Sequence, residues 1–284
     1  MTAPYFSFDR VSFVYPNGTK AIEDLTLTIP TGKKIAILGE NGSGKSTLFK
    51  LLMGLERPTE GVISFQGKPI QYTKKGLKHL RQQVGLVFQE ADNQLFASTV
   101  KQDILYGPLN LDWSAAKVNA QVSKAIALTE LEELEERPIH FLSGGQKKRV
   151  TIAGVYAMEP HVLILDEPTS SLDYYFSTQL TDYLQKLDTN DRTFLYATHQ
   201  INLVYEWADL YIVLHKGKLL FVGGREDLFT NDALLTTAHI EKPWIVSIVN
   251  LLRSSNPHWE LMSFPDTKES LVAEINMLQK QSTS

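Results

Sequence analysis

The sequence predicts an α/β protein with a mostly parallel sheet, an antiparallel β region at its N-terminal end and an inserted helical block. Short apolar segments such as 35–38 and 162–165 alternate with helical patterns, which is typical of a parallel sheet. Segments rich in Phe, Val, Leu and Thr occupy much of the first third of the chain and predict strands. From about 98 to 158 the pattern becomes helical, which indicates a subdomain that stands off the sheet.

Turn-forming Pro, Asn and Gly residues separate the predicted strands of the N-terminal third. These strands are 6–15, 25–29, 35–38, 62–65 and 84–88. The strand at 35–38 is apolar throughout, which indicates burial on both faces of a sheet. A helix is predicted over 46–53 and ends at Gly54.

Helices and strands alternate in the second half. The predicted helices are 114–128, 130–136, 146–158, 174–187 and 201–208. The predicted strands are 162–165, 193–197, 210–214 and 219–222, the last two joined by a hairpin turn at 215–218.

The pattern changes near Arg225, so we expect one domain over 1–225 and a helical C-terminal extension over 226–284. One amphipathic helix of the extension has an apolar face formed by Trp244, Ile245, Ile248, Val249 and Leu252. A second has Leu271, Ile275 and Leu278, with a predicted cap at Asp266 and Glu269 three residues later. These faces either contribute to a dimer contact or pack on the chain's own domain.

Composition excludes several classes of function. Lys and Arg total 28 against 32 Asp and Glu, and this net charge of −4 argues against a protein that coats nucleic acid. The chain has no cysteine, which excludes disulfides, Cys-based zinc sites, iron–sulfur clusters and thiol nucleophiles and fits a cytosolic protein. The seven histidines lack the spacing of metal ligands. We expect neither a secretory signal nor a membrane-spanning helix.

A glycine-rich segment after the strand at 35–38 predicts a nucleotide site. Its residues Gly39, Glu40, Asn41, Gly42, Ser43, Gly44, Lys45 and Ser46 match the pattern G-x-x-x-x-G-K-[ST]. We expect backbone N–H groups to hold phosphate oxygens, Lys45 to reach the β- and γ-phosphates, and the Ser46 hydroxyl to ligate Mg²⁺. Chance would produce this pattern in about one chain in a hundred. By itself it leaves a kinase, a GTPase and a motor open.

Two carboxylates, Asp166 and Glu167, follow the apolar strand at 162–165. Next to a phosphate-binding loop, Asp166 would reach Mg²⁺, directly or through water. Glu167 would polarise the attacking water, as general base or as orienting group. The alternative is that both acids merely end a strand.

A second glycine-rich helix start, at 142–146, contains Ser143, Gly144, Gly145 and Gln146. It predicts another anion-binding helix N-terminus. The simpler interpretation is a turn capped by Ser143. A single nucleotide does not need two phosphate-binding helix N-termini within one protomer.

The sequence Leu-Ser-Gly-Gly-Gln at 142–146, placed just before the strand at 162–165, resembles the signature of ATP-binding cassette (ABC) ATPases. The resemblance covers about 4–225. It implies a P-loop NTPase fold with a RecA-like mixed sheet core and a helical subdomain at about 91–158. It also implies a head-to-tail dimer, in which the signature of one subunit closes over the ATP bound to the other.

The resemblance also assigns roles to single residues. Tyr15 corresponds to the aromatic residue that stacks on adenine, although a buried strand tyrosine is the alternative, and Thr47 extends the ATP-binding loop. Gln89 resembles the Q-loop glutamine that contacts Mg²⁺ and senses the membrane partner, Asp173 belongs to the D-loop, and His199 resembles the switch histidine of the γ-phosphate. The implied catalytic group is Glu167, His199 and Gln89, and the implied Mg²⁺ ligands are Ser46, Gln89 and Asp166.

Within ABC ATPases, the segments 90–96, 106–108 and 141–155 resemble energy-coupling factor importers, and most of all their cobalt and nickel type. Ala91, where that group usually has Pro, departs from the pattern, and the segment from Trp244 onward matches only loosely. The resemblance implies a peripheral ATPase on the cytoplasmic face of the cell membrane. It pairs with an identical or paralogous ATPase, a transmembrane coupling subunit docked near the helical insert, and a membrane substrate-binding subunit.

Two other functions remain open. A non-transport ABC ATPase is the main alternative, but its DNA-repair members carry long coiled coils and its translation members usually carry two cassettes. A P-loop kinase or other metabolic phosphotransferase would leave the motif at 142–146 unexplained.

Overall fold

The computed structural model describes residues 4–170, 177, 180, 184, 192–255, 259 and 264–282. The strands are β1 (Phe6–Val14), β2 (Lys20–Ile29), β3 (Lys34–Leu38), β4 (Glu60–Phe65), β5 (Lys68–Pro69), β6 (Val84–Val87), β7 (Val162–Asp166), β8 (Thr193–Ala197), β9 (Leu210–His215) and β10 (Lys218–Gly223). The α-helices are α1 (Lys45–Leu52), α2 (Lys74–Gln83), α3 (Val100–Leu109), α4 (Ala115–Leu128), α5 (Gly144–Tyr156), α6 (Ile201–Tyr205), α7 (Arg225–Phe229), α8 (Asp232–Ala238), α9 (Trp244–Ser255) and α10 (Lys268–Ser282).

The strands form two sheets. The N-terminal sheet is antiparallel, with the order β2-β1-β4-β5. The core sheet has the order β10-β9-β3-β8-β7-β6; its strands are parallel except β10, which pairs antiparallel to β9. This is the mixed sheet with an antiparallel N-terminal region that the sequence predicts.

The core sheet is buried on both faces because its strands alternate their side chains between two apolar layers. Ile35 and Ile37 of β3 point into the layer that contains α1 and the N-terminal sheet. Ala36 and Leu38 point into the layer that contains α3 to α5 and the C-terminal helices. Because both faces of β3 are buried, all residues of 35–38 are apolar.

The helical subdomain consists of α3, α4 and α5, which pack on one another. The predicted helix at 130–136 is wrong: only Glu132–Leu134 forms a short 3₁₀ turn. Carboxylates crowd this segment, and like charges three or four residues apart destabilise an α-helix. The carbonyls of Glu135 and Arg137 instead accept hydrogen bonds from the first turn of α3.

Helix boundaries also differ from the predictions elsewhere. Helix α5 begins at Gly144, so the two glycines lie in its first turn, and α6 is shorter than predicted. Helices α2, α7 and α8 were missed; in α2 only Leu80 is buried, which leaves little apolar pattern to read. The predicted helix at 174–187 lies outside the described residues, except that Ser177, Leu180 and Leu184 are helical.

The C-terminal helices pack on the same apolar layer as α3 to α5. Phe229 of α7 lies 5.5 Å from the ring of Tyr205 and 5.3 Å from that of Tyr211, between ring centroids. On α9, Ile245 and Val249 are buried as predicted. Trp244, Ile248 and Leu251 are the exposed large apolar side chains of that helix. A domain boundary near residue 225 stays a prediction.

The start of α10 differs from the prediction in its cap. Thr267 Oγ1 accepts from the N–H of Ser270 at 3.1 Å, and Ser270 Oγ accepts from the N–H of Thr267 at 3.0 Å. Asp266 is bound by Arg225 instead, so it is not available as the cap. No described helix combines the length and apolar character that a bilayer span requires.

Candidate functional site

Four loops of the core sheet open at the same edge, the carboxyl ends of its parallel strands. Ala197 at the end of β8 pairs with Ile37 of β3 on one side and with Asp166 of β7 on the other. Val87 at the end of β6 pairs with Leu165. The topology therefore brings the segments that begin at Gly39, Glu167, Thr198 and Phe88 to one edge.

The glycine-rich loop between β3 and α1 depends on two glycines. Gly39 has φ +147°, and a Cβ there would collide with the carbonyl oxygen of Leu214. Gly44 has φ +109°, and its Cβ would lie 2.7 Å from the carbonyl oxygen of Ala21. A side chain at either position is excluded by both backbone angle and space. No side chain caps α1, and no acidic residue lies in its first turn, so its N-terminal N–H groups suit an anion.

Lys45 is the buried cation of the loop, with 6% of its surface exposed. Its ammonium donates to the carbonyls of Gly39 at 2.8 Å and Glu40 at 3.1 Å, and lies 3.9 Å from Oε1 of Glu167. Burial lowers the pKa of Lys45, and the carboxylates of Glu167, Asp166 and Glu40 oppose this shift. The loop thus holds a positive charge in place by its own backbone and a facing carboxylate.

Asp166, at the end of β7, carries an oxygen suited to a cation. Its Oδ1 is buried and has no hydrogen-bond partner among the described residues. Burial raises the pKa of Asp166, and a hydrogen bond from Ser46 opposes the rise. A carboxylate and a hydroxyl are ligands that Mg²⁺ prefers, so Asp166 and Ser46 fit this ion. Ser43 Oγ is a second buried oxygen that lacks a partner in the described part of the chain.

Glu167 lies between a cation and an imidazole. Its Oε2 is 2.6 Å from Nδ1 of His199, which donates, while its Oε1 faces Lys45. Glu167 is nearly buried, whereas the side chain of His199 is 59% exposed. The φ of Glu167 is +43°, an uncommon angle for a non-glycine residue and one that recurs at functional sites. The structure therefore brings Lys45, Glu167 and His199 together as one connected group.

Tyr15 lies beside the start of α1. Its hydroxyl is 3.0 Å from Oγ1 of Thr47, its ring packs edge-on against Phe13, and the Lys50 ammonium lies 5.6 Å from the ring centre. The hydroxyl bond fixes the half-buried ring next to the loop. Stacking on adenine stays a prediction.

Glu40 has two histidine partners that the sequence did not indicate. His215, at the end of β9, has Nδ1 3.3 Å from Oε1, and His239, after α8, has Nδ1 2.9 Å from Oε2. The hydrogen bond from His239 is the main cause that lowers the pKa of Glu40. These contacts join residues 175 or more positions apart, so no short-range sequence pattern could have indicated them. The contact of His239 connects the C-terminal helices to the phosphate-binding loop.

The side chain of Gln89 is exposed, and its backbone is bound by Lys148. Its carbonyl accepts from the ammonium of Lys148 at 2.6 Å, and the carbonyl of Phe88 accepts from the same ammonium at 2.9 Å. Burial lowers the pKa of Lys148 to about 8, opposed by Glu90 and Asp166. Lys148 was not among the predicted site residues. Contact of the Gln89 side chain with Mg²⁺ stays a prediction.

The signature residues form the N-terminus of α5. Ser143 Oγ accepts from the N–H of Gln146 at 3.3 Å, and Gln146 Oε1 accepts from the N–H of Ser143 at 2.9 Å. This reciprocal cap leaves the N–H groups of Gly144 and Gly145 outside the pair. Ser143 and Gly144 are exposed. In the described part of the chain, no hydrogen bond or ion pair joins 143–146 to the loop at 39–46. Asp173 lies outside the described residues.

Comparisons with known proteins show what the chain is similar to in sequence and fold. The sequence model of the family described as "ABC transporter" matches residues 22–170. The energy-coupling factor transporter ATP-binding protein EcfA2 of Methanospirillum hungatei is 40% identical over 96% of this chain and 67% of its own length. The cobalt import ATP-binding protein CbiO of Rhodobacter capsulatus is 38% identical over 96% of this chain and 97% of its own length.

A solved structure shares both fold and sequence with this chain. It is cbiO1 of Clostridium perfringens, described as part of the ABC transporter complex cbiONQ. The match has a TM-score of 0.74 and 36% identity, and it covers 87% of this chain and 99% of that one. The likeness extends well beyond the phosphate-binding loop.

Proposed function

Because this chain belongs to the ABC transporter family, as an ATPase similar to EcfA and CbiO, we propose that it powers an energy-coupling factor importer. In this proposal, ATP binding and hydrolysis drive uptake of a micronutrient through membrane partner subunits. We favour a cobalt or nickel ion as the transported substrate, and a vitamin is the alternative substrate. The chain acts as a peripheral protein on the cytoplasmic face of the membrane.

The connected group of Lys45, Glu167 and His199 is the observation that carries the proposal. Its distances of 3.9 Å and 2.6 Å place a cation and an imidazole on the two oxygens of one carboxylate. A carboxylate held in this way is positioned to accept a proton from water. Lys45 itself belongs to the phosphate-binding loop, so the groups assigned to water attack and to phosphate binding share one edge of the sheet.

We assign the steps of hydrolysis to the chain's residues as follows. The N–H groups at the start of α1 and the ammonium of Lys45 bind the phosphates of ATP. Glu167 accepts the proton of the water that attacks the γ-phosphorus, and ADP leaves with its bridging oxygen. His199 holds Glu167 and stabilises charge at the γ-phosphate. Ser46 and Asp166, together with Gln89, would hold Mg²⁺, which would supply charge neutralisation for the phosphates.

We assign the exposed start of α5 to the second ATP of a head-to-tail dimer. Ser143 and Gly144 are exposed, and the glycine N–H groups are outside the local cap. A γ-phosphate bound to another subunit fits this positive helix end. The other subunit is a second copy of the chain or a paralogous ATPase.

We propose that the helical subdomain docks the transmembrane coupling subunit beside Gln89. The segments between β6 and α5 carry four exposed aromatic and aliphatic side chains: Phe96, Tyr106, Leu109 and Phe141. Phe96 and Tyr106 pack edge-to-face at 4.6 Å, which gives the surface a fixed shape. Exposed apolar side chains that pack on one another, as Phe96 and Tyr106 do, are typical of protein–protein interaction sites.

Purification from solubilised membranes tests the assembly. A tagged chain should elute with a transmembrane subunit and a small membrane substrate-binding subunit. Phe96→Asp should release both, while Val62→Asp, an exposed apolar position on β4, should retain them. If the chain elutes without any membrane protein, the proposed role in an importer is refuted.

Uptake measurements in cells test the cargo separately. Cells that carry Glu167→Gln should lose energy-dependent accumulation of radiolabelled cobalt or nickel. If metal uptake is unchanged and uptake of a vitamin falls, the importer stands and the metal assignment is wrong.

A further inference from the structure

Three consecutive basic residues follow the signature, and each binds a different segment of the chain. Lys147 pairs with Asp92 at 2.6 Å, and Arg149 donates to the carbonyls of Thr129 and Glu130 at the end of α4. Lys148 differs from both because it is almost fully buried, with 2% of its surface exposed. A buried ammonium is costly unless hydrogen bonds compensate for its lost water.

The hydrogen bonds of Lys148 go to the backbone next to Gln89. Its ammonium binds the carbonyls of Phe88 at 2.9 Å and Gln89 at 2.6 Å, about sixty positions away in the sequence. Charged donors make stronger hydrogen bonds than neutral ones, so this contact resists displacement. Lys148 therefore fastens the segment after β6 to helix α5.

The segment after β6 also has a brace of its own. Gln94 Oε1 accepts from the N–H of Phe88 at 3.0 Å, and its Nε2 donates to the carbonyl of Leu86 at 3.1 Å. The peptide at Phe88 is therefore held on one side by its own loop and on the other by α5. Only the second contact connects the loop to another functional element.

Helix α5 begins with the signature residues, and Lys148 lies in its second turn. The Gln89 segment belongs to the edge that holds Lys45 and Glu167. In the proposed dimer, one end of this connection serves the chain's own ATP and the other end serves the partner's ATP. A rigid tie between them would make the two sites move together.

We propose that Lys148 is a positioning residue for ATP hydrolysis, which holds the backbone at Gln89 in register with the signature helix. The inference rests on the proposed function, because it assigns a role in ATP hydrolysis to a further residue of the same chain. It concerns the placement of Gln89 and of the start of α5, not the binding of ATP by the loop at 39–46.

The test compares four variants of the full chain in its complex. Lys148→Met keeps the length of the side chain and removes the donor, and it should lower kcat about tenfold, since misplaced groups slow the chemical step. Binding of a fluorescent ATP analogue should stay within about twofold, because the phosphate loop is unchanged. Lys148→Arg, which can still donate to both carbonyls, should recover activity to within about threefold.

Two neighbouring variants are the matched controls. Gln94→Ala loosens the same loop but leaves α5 attached, and Lys147→Met removes an exposed ion pair of α5 with the same loop. Each should lower kcat by less than about threefold, as expected for a loop brace and a surface pair. Thermal unfolding checks that every variant is folded, and Lys148→Gln replaces Lys148→Met if the latter does not fold.

The outcomes separate the two proposals. A wild-type chain that hydrolyses ATP, with Lys148→Met unchanged in kcat, would overturn the role of Lys148 and leave the proposed function intact. Equal losses in Lys148→Met and Gln94→Ala would also overturn it, because loop order would then explain the effect. A wild-type complex without ATPase activity would overturn both. Loss of ATP binding in parallel with kcat would show a merely structural lysine.

Discussion

The two glycine-rich helix starts of this chain look alike in sequence and differ in their surroundings. At the start of α1, Gly44 leaves the helix uncapped, Ser43 and Lys45 are buried, and Lys45 interacts with Asp166 and Glu167. At the start of α5, Ser143 and Gln146 cap each other at the surface, with no carboxylate or lysine of the first site bound to them.

This difference shows how the catalytic groups are distributed. The α1 edge contains the cation, the carboxylates and the histidine that phosphate chemistry needs, all connected within one chain. The α5 start offers N–H groups and a hydroxyl, but only at the surface, where another subunit can bring a phosphate. In the proposed dimer, one chain would therefore contribute most of one site and a small part of the other.

The largest expected effect comes from removing the proton acceptor at the α1 edge. Glu167→Gln should lower ATPase activity by about 10² to 10⁴-fold, the usual contribution of a general base, and should keep ATP binding. Phosphate release and nucleotide binding measure the two effects. Glu60→Gln, at an exposed position of β4, is the control and should hydrolyse ATP normally. Hydrolysis by Glu167→Gln at the normal rate would refute the assignment of the base.

A pair of glycine substitutions tests the difference between the two helix starts more finely. Gly44→Ala should destabilise the fold by about 1–3 kcal/mol and weaken ATP binding, since φ is +109° and a Cβ meets Ala21 and Ile22. Gly144→Ala lies in regular helix and should change stability by less than about 1 kcal/mol. It should lower hydrolysis without weakening ATP binding by the same chain.

Chemical denaturation and nucleotide titration measure both variants. Gly42→Ala is a useful third variant, because its φ is +81° but no atom lies within 4 Å of the added Cβ. Gly42→Ala therefore measures the free-energy cost of a positive φ alone, without the steric collision that Gly44→Ala adds. Equal behaviour of Gly44→Ala and Gly144→Ala would remove the distinction between the two helix starts.

The smallest effect concerns the contact between the α1 edge and the C-terminal helices. The hydrogen bond from His239 lowers the pKa of Glu40 below its ordinary value of 4.5. This contact therefore stabilises the fold at pH values above 4.5, and the stabilisation is lost as the pH falls through the lowered pKa of Glu40. His239→Asn, which tolerates the left-handed backbone at this position, should melt slightly below wild type at neutral pH.

Thermal unfolding as a function of pH follows this contact. The difference between wild type and His239→Asn should shrink as the pH falls below 4.5 and the Glu40 carboxyl of the wild type is protonated. His79→Asn, on the distant helix α2, is the control. A difference that grows toward acid pH would contradict the assigned sign.

The fold and the α1 edge were largely predictable because they depend on local patterns. Strand β8 matches its prediction at 193–197, and β3 differs by one residue, since strands buried on both faces are written as apolar runs. The phosphate loop and the pair Asp166 and Glu167 carry motifs whose chemistry can be read from residue type and order.

The contacts that sequence analysis missed are long-range ones. His239 binds Glu40 across 199 positions, and Lys148 reaches the carbonyls of Phe88 and Gln89, which have no side-chain signature. The cap of α10 was misassigned because Asp266 and Thr267 are both good capping residues, and Arg225 decides between them. Tertiary structure selects among local options of equal quality.

The division of the site between two subunits is the central claim, and a mixing experiment tests it most directly. Lys45→Ala and Ser143→Arg chains, each with its own tag and each inactive alone, are combined and dimers that carry both tags are purified. Such dimers contain one site with an intact Lys45 and an intact Ser143, so ATPase activity should return, to about half of the wild-type value if the sites act independently. Doubly tagged dimers no more active than the single variants would contradict the claim.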